Sequence, residues 1–356
     1  MTPRFLSTLA AASLIAVAAA GYVVSQESGF QTATVNSKVF PDLRDKLNDV
    51  TQLKMVNANR QMTLLRKDNT WSMVESDGYP AEVKNIQKVL IGLSDLVYAE
   101  AKTKKPELYE KLDLREPTIK QSRGRWVSVL GADGELLVDV ILGKTRYNMP
   151  GTTRDGIYFR FPGADQAWLA IGQLEASKLP SDWLKTRIVN IAEKKIKIAT
   201  FRHPDGETLT VQKASENDQE FELLDLPADK KLKYKTDPKN MATVLDELEL
   251  DDVRKASHFD FSDTKTIKAS FQTFDGLTVN VQIIELKEPA AEEDEEDESV
   301  YWAQVSAQAD GNGEAAQTAK EISDHTQGWA FKLPAFKASR MNKRLKDILT
   351  DKKTAS

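Results

Sequence analysis

Cysteine is absent from the chain, and histidine occurs only at His203, His258 and His325. The first absence removes disulfides, thiolate metal sites and a thiol nucleophile together. The second leaves little imidazole chemistry: no histidine stands four residues from another, and none accompanies a G-x-S-x-G serine. Loop positions are the expectation for all three, and an enzymatic activity would have to rest on distant residues converging in the fold. A basic excess is also missing, since the formal net charge is -5. No stripe of Lys and Arg interleaved with aromatics is found, which excludes nucleic acid as a partner. Nor is there a phosphate-binding loop. Gly143-Lys144-Thr145 has its ending, but the pattern G-x-x-x-x-G-K-[ST] needs glycine where the chain has Val138. No cofactor or metal is therefore expected.

The acidity is local. Eight acids fall between Glu288 and Glu298, and without them the chain balances at +3. Like charges at this density repel and resist burial, so residues 288–298 are expected to form a disordered hairpin extension. They lack the Asp/Asn/Gly alternation of a calcium loop.

What is present begins with Phe5 to Val24, twenty residues without a charge. At about 1.5 Å per residue a helix of that length spans the roughly 30 Å hydrocarbon core. Arg4 precedes it and Glu27 follows, so the positive-inside bias leaves the N-terminus cytoplasmic and the body outside. Residues 1–24 are read as a membrane anchor, with a signal peptide cleaved after Ala18-Ala19-Ala20 as the alternative. Residues 25–49 read as a polar linker.

From residue 50 the chain spells one pattern twice around a pivot at Gly143 to Asn190. Val50–Met55, Gln61–Arg66 and Trp71–Val74 alternate as strands. Pro80 then opens a helix over 81–101, with Val83, Ile86, Val89, Leu90, Leu93, Leu96 and Val97 on one stripe. A connector over 103–117 leads to a hairpin, Trp126–Leu130 and Leu136–Leu142, turned at Asp133-Gly134. The pivot adds strands at 157–161 and 167–171 and a short helical exit. The second pass gives strands at 195–201, 209–212 and 220–224 and a Pro238-opened helix to 250. Strands at 266–273, 277–286, 300–306 and 329–333 complete it. The expected fold is therefore α+β: two tandem copies of an antiparallel-sheet-plus-helix unit, residues 50–192 and 193–350, behind an N-terminal transmembrane helix, with a tail at 351–356.

Several stretches carry a resemblance: Trp71-Ser72-Met73 with Gly78-Tyr79-Pro80-Ala81, Leu90-Ile91-Gly92-Leu93-Ser94-Asp95-Leu96, Tyr109-Glu110-Lys111-Leu112-Asp113-Leu114, Leu142-Gly143-Lys144 and Trp183-Leu184. In order and spacing they resemble the bacterial domain-of-unknown-function family numbered forty-three forty. The likeness covers about residues 50 to 215, and the second copy more loosely. It implies a membrane-anchored protein with an extracytoplasmic body at the bacterial inner membrane. Because such proteins are often encoded beside gliding-motility-type ABC transporter genes, it also implies permease and ATPase components as partners. No catalytic residue comes with it. A periplasmic binding protein for an envelope polymer or small ligand is the alternative, and an unrecognised enzyme stands third.

One segment offers candidate interaction residues. In Ala335 to Leu349 the positions Met341, Leu345, Ile348 and Leu349 share a helical face, leaving Lys337, Arg340, Lys343, Arg344 and Lys346 mostly elsewhere, with Lys343, Arg344 and Lys346 as the candidate interaction residues. This reads as a basic amphipathic helix that closes the second copy, with cationic heads available to anionic lipid or to a transporter's acidic surface.

Overall fold

The computed structural model describes residues 35–58, 60–262, 265–288 and 297–352. The expected anchor at 1–24 lies outside these residues, as does most of the acidic run. No helix among the described residues is long and apolar enough to cross a membrane. The chain divides into two compact units after Leu184.

The first unit is built on β1 (Gln52–Val56), β2 (Gln61–Lys67), β3 (Thr70–Met73), β4 (Tyr79–Pro80), helix α1 (Val83–Asp95), β5 (Val97–Ala101), β6 (Arg125–Leu130), β7 (Leu136–Arg146), β8 (Gly156–Arg160) and β9 (Ala167–Ile171). Its nine strands form one sheet in the order β4-β3-β2-β1-β6-β7-β8-β9-β5, antiparallel at every pairing. Strand β5 is made before β6 yet lies at the far edge, so the chain must cross the sheet to return. That crossing is residues 102–124. Tyr109, Leu112 and Leu114 of the connector pack on Trp126, Ile141, Tyr158 and Ala167. By strand alternation the other face carries Leu53, Met55, Val127, Val129 and Val140, all buried. Helix α1 buries Ile86, Val89, Leu90 and Leu93 along one stripe.

The second unit contains β10 (Arg187–Val189), β11 (Ile196–Arg202), β12 (Thr208–Gln212), β13 (Glu222–Leu223), β14 (Lys230–Leu232), α2 (Asp237–Ala242), β15 (Leu248–Glu249), β16 (Asp252–Lys255), β17 (Ile267–Thr273), β18 (Leu277–Glu288), β19 (Glu298–Ala309), α3 (Glu314–Thr326), β20 (Trp329–Leu333), α4 (Ala335–Met341), α5 (Leu345–Ile348) and β21 (Leu349–Asp351). Its main sheet runs β13-β12-β11-β17-β18-β19-β20-β16, with small pairs β10-β15 and β14-β21 beside it. Here too the strand laid down just before the connector, β16, takes the far edge. The connector crosses back with Phe259 and Phe261 on Ile284, Val300, Trp302 and Ala330. Phe259 meets Trp302 at 4.5 Å between ring centroids. Trp168 in β9 and Trp329 in β20 each adjoin an alanine of the connector-covered face, Ala167 and Ala330, so both indoles belong to the opposite face.

The α+β class with mostly antiparallel sheets stands. Several elements differ from the sequence reading, each for a physical reason. The helix expected over 81–101 stops at Asp95, because Val97–Ala101 pair with β9 as the edge strand. The helix expected to reach residue 250 ends at Ala242, and Leu248–Glu249 pair with β10 instead. Residues 35–49 are not a free linker: Val39, Phe40 and Leu43 are buried. Backbone bonds Asn36 N–H to Tyr98 O, Tyr98 N–H to Ser37 O and Val39 N–H to Leu96 O, each 2.9 Å, tie them to the edge at β5. The boundary falls after 184 rather than 192, since β10 pairs with β15 and Ile191 N–H donates to Leu245 O at 3.0 Å. Helix α3 was not expected at all. It is alanine-rich and buries only Ala319, Ile322 and Thr326.

Candidate functional site

The C-terminal segment is not one amphipathic helix. It breaks between α4 and α5, and Leu349 leaves the helix to start β21 against β14. The break turns its cations toward carboxylates of the same unit. Lys343 Nζ lies 2.6 Å from Asp237 Oδ1, and that carboxylate is 5 % exposed. Arg344 Nη1 reaches Asp205 Oδ2 at 2.6 Å and Glu207 Oε2 at 2.5 Å. Glu207 Oε1 also accepts from Leu345 N–H at 2.7 Å. The electrostatics follow this geometry. Asp205 is held below the ordinary carboxylate range by the Glu207 backbone N–H and then by Arg344. The Arg344 guanidinium is pushed up by Asp205 and Glu207. Lys346 alone of the three predicted interaction residues is exposed, with its carbonyl accepting from Lys233 Nζ at 2.9 Å. Two of these three cations thus strap the C-terminus to the second unit.

Beneath the strap lies His203, 2 % exposed, whose Nε2 is 3.1 Å from Lys343 O. A carbonyl can only accept, so this nitrogen carries the proton. Nδ1 is buried without a partner, as is Asp237 Oδ2. The other histidines are elsewhere: His258 is exposed beside the connector, and His325 on α3 bonds Arg187 O at 2.9 Å. Among the described residues no group of three or more His, Asp or Glu is placed to hold a metal ion. Gly143-Lys144-Thr145 sits inside β7 with no helix after it.

Buried and half-buried cations recur; sequence reasoning missed them, and it set Lys337 on the outward basic side of the C-terminal helix although that side chain is buried. Lys213 Nζ is ringed by the carbonyls of Glu193, Glu216 and Asp218 at 3.2–3.5 Å and lies 5.3 Å from the Phe221 ring centroid. Lys337 Nζ donates to Val244 O at 3.0 Å and Asp246 O at 2.5 Å. Burial pushes the pKa of both lysines down. Arg160 donates from Nε to Leu114 O at 2.9 Å, pairs with Glu116 and lies over the Tyr109 ring at 4.9 Å. Arg125 spans Ala176 O at 2.7 Å and Gly143 O at 3.0 Å. Each closes a loop against its unit by satisfying main-chain acceptors. Apart from Glu216 O and Asp218 O beside Lys213, these acceptors lie 18 or more residues away, so a linear pattern carries little signal for them.

The resembling motifs meet in the same places. A Cβ on Gly143 would stand 2.1 Å from Leu112 O, so glycine there lets the Tyr109–Leu114 connector lie directly on β7. On α1, a Cβ at Gly92 would stand 2.7 Å from Gln173 O. Trp183 is buried, and its carbonyl accepts from Glu82 N–H at 2.8 Å at the head of that helix. The motif residues are thus packing devices. A cleft of about 180 Å³ lies between residues 39–46 and 135–137, spanned by the Lys46–Glu135 ion pair at 2.5 Å. It is smaller than the roughly 300–1,000 Å³ of pockets that enclose drug-sized ligands.

The family model described as a domain of unknown function (DUF4340) matches residues 71–272. No curated protein and no solved structure matches the chain.

Proposed function

The chain belongs to the DUF4340 family, and from that premise we propose that it is a membrane-anchored, extracytoplasmic interaction module serving an ABC transporter. In this reading residues 5–24 hold it in the bacterial inner membrane as a single-pass protein. The two units derive from duplication of one sheet-and-helix element, which the common strand order supports. The partners are the permease and ATPase of a transporter of the gliding-motility type, as the resemblance implies.

The observation that carries the reading is the use made of the buried charge. Lys213, Lys337, Arg125 and Arg160 are occupied by carbonyls of their own unit. Lys343 and Arg344 are occupied by carboxylates. Polar chemistry that an enzyme would aim at a substrate here fixes loops onto the sheet of each unit, which suits units that present surfaces. The experiment is affinity capture of the full chain from detergent-solubilised native membranes, quantified by mass spectrometry. Co-enrichment of a permease and its ATPase over an unrelated single-pass protein supports the proposal. Capture of the chain without transporter components refutes it.

A further inference from the structure

The cations of the C-terminal strap are neutralised, but another set in the first unit is not. Between Glu116 and Asp133 the chain has no acid, while it carries Lys120, Arg123 and Arg125. The connector folds this run into a tight loop: Ser122 N–H donates to Ile119 O at 3.0 Å, and Gly124 passes so close to Arg115 O that a Cβ would stand at 2.8 Å. A second segment is laid against it. Lys178 Nζ donates to Arg123 O at 2.7 Å, and Arg125 Nη1 donates to Ala176 O at 2.7 Å.

Three exposed positive groups, Lys120, Arg123 and Lys178, are thereby carried on the two segments that the inward-turned Arg125 joins, with few negative ones near. Glu116 is engaged by Arg160, and Asp182 by the Ser177 hydroxyl. Asp113 acts on both Arg125 and Lys178, and no described carboxylate pairs with Lys120 or Arg123. The strain registers on Lys178, whose pKa is lowered by burial and then by the charges of Arg125 and Arg123. Arg125 keeps a buried Nε–H without an acceptor. Two aliphatic side chains stand out of the same pair of segments, Ile119 at 43 % and Leu179 at 58 % exposure.

Cations that lack counter-charges, flanked by protruding aliphatics, suit an anionic bilayer surface: headgroup phosphates meet the charges and the acyl boundary takes the side chains. The tether brings that surface within reach. Residues 36–39 are fixed to the first unit, and the ten residues between Val24 and Val35 span at most about 40 Å when extended. We infer that Lys120, Arg123 and Lys178, with Ile119 and Leu179, form a face of the first unit that docks on anionic phospholipid headgroups of the membrane holding the chain. The inference rests on the anchored reading above.

The absence of cysteine permits a direct test, because a single introduced thiol is the one labelling site. Full-length Ile119→Cys and Leu179→Cys, each carrying an environment-sensitive nitrobenzoxadiazole label, are assembled into nanodiscs of phosphatidylcholine alone or with phosphatidylglycerol. Val74→Cys, exposed at the β3–β4 turn, is the control. The expected result is a blue shift and a rise of about twofold or more in emission with the anionic lipid, reversed by salt. The rise should be absent at Val74→Cys and lost when Lys120→Glu and Arg123→Glu are added. Lys120→Gln with Arg123→Gln, which should at least weaken the rise, keeps the comparison readable if charge reversal disturbs folding. Retention in nanodiscs with the same emission in both lipids overturns this inference alone. Failure to enter nanodiscs overturns the anchored reading and this inference with it.

Discussion

Replacing Gly143 with alanine tests whether the connector is locked onto the first sheet. The new Cβ would sit 2.1 Å from Leu112 O and 3.0 Å from Leu114 Cδ2. The first of these is backbone, so a side-chain rotation cannot relieve the contact. The connector has to lift from β7, and its other attachments resist: Leu114 O accepts from Arg160 Nε at 2.9 Å, and Tyr109 Oη donates to Asp165 O at 2.5 Å. Overpacking of this kind costs about 1–3 kcal/mol. Partial loss of the apolar cluster adds about 1–2 kcal/mol. Alanine in place of glycine in a strand returns roughly 0.5–1 kcal/mol. The net expectation is a loss of about 1–4 kcal/mol. Urea unfolding read by tryptophan fluorescence measures it, since Trp126 lies in the cluster. Gly163→Ala is the comparison: nothing stands within 4 Å of its Cβ, and the only penalty is φ at +73°, worth about 1–2 kcal/mol. A neutral or stabilising Gly143→Ala would refute the close approach of the connector to β7.

Lys343→Met leaves the Asp237 carboxylate buried without its cation. Breaking a buried pair costs about 3–5 kcal/mol, and the 29 % exposure of Lys343 reduces this to about 1–3 kcal/mol. Thermal melting checks the loss, and Asp237→Asn in the same chain should recover part of it. Asp139 gives a pH dependence. Burial raises its carboxyl pKa against the opposing bonds from Trp126 and Ser128, so the folded state holds this proton more tightly than the unfolded state. That contribution is complete below the ordinary carboxylate range and is lost as pH rises through the raised folded value. Asp139→Asn should therefore gain stability relative to the unmutated chain as pH rises from the acid side of the ordinary carboxylate range to neutrality. Urea midpoints across that range decide, and a constant difference would contradict the assignment. In spheroplasts, added protease should degrade the body of the full chain and leave its N-terminus with the cells. Release of intact soluble protein beginning near Gly21 would favour the signal peptide.

Much of the architecture was legible because it is written locally. Trp329–Leu333 alternates and stands where the sequence placed it, and the Asp-Gly pairs at 133–134, 205–206 and 275–276 turn the chain between strands. The end of α1 was not legible, since Leu96 and Val97 continue the helical spacing while pairing with β9 draws them into an edge strand. Helix α3 hid because its buried side holds only Ala319, Ile322 and Thr326, too little apolar surface to mark a stripe, and its Ser323 hydroxyl on Ala307 O is a contact no periodicity reports. The C-terminal cations read as an outward basic face, because the carboxylates that neutralise them, Asp205, Glu207 and Asp237, lie more than a hundred residues earlier. The acid-free run holding Lys120 and Arg123 was visible in the sequence, but its partner Lys178 comes from another segment.

The most direct measurement of the account is photo-cross-linking in intact cells. A photoreactive residue replaces Tyr147 or Tyr234, which are 71 % and 67 % exposed, one in each unit. Adducts of the full chain are then identified by mass spectrometry. An interaction module at a transporter predicts an adduct with a permease or its ATPase from at least one position, formed without detergent and absent when the transporter genes are deleted. Adducts confined to unrelated envelope proteins, or unchanged by that deletion, would contradict it.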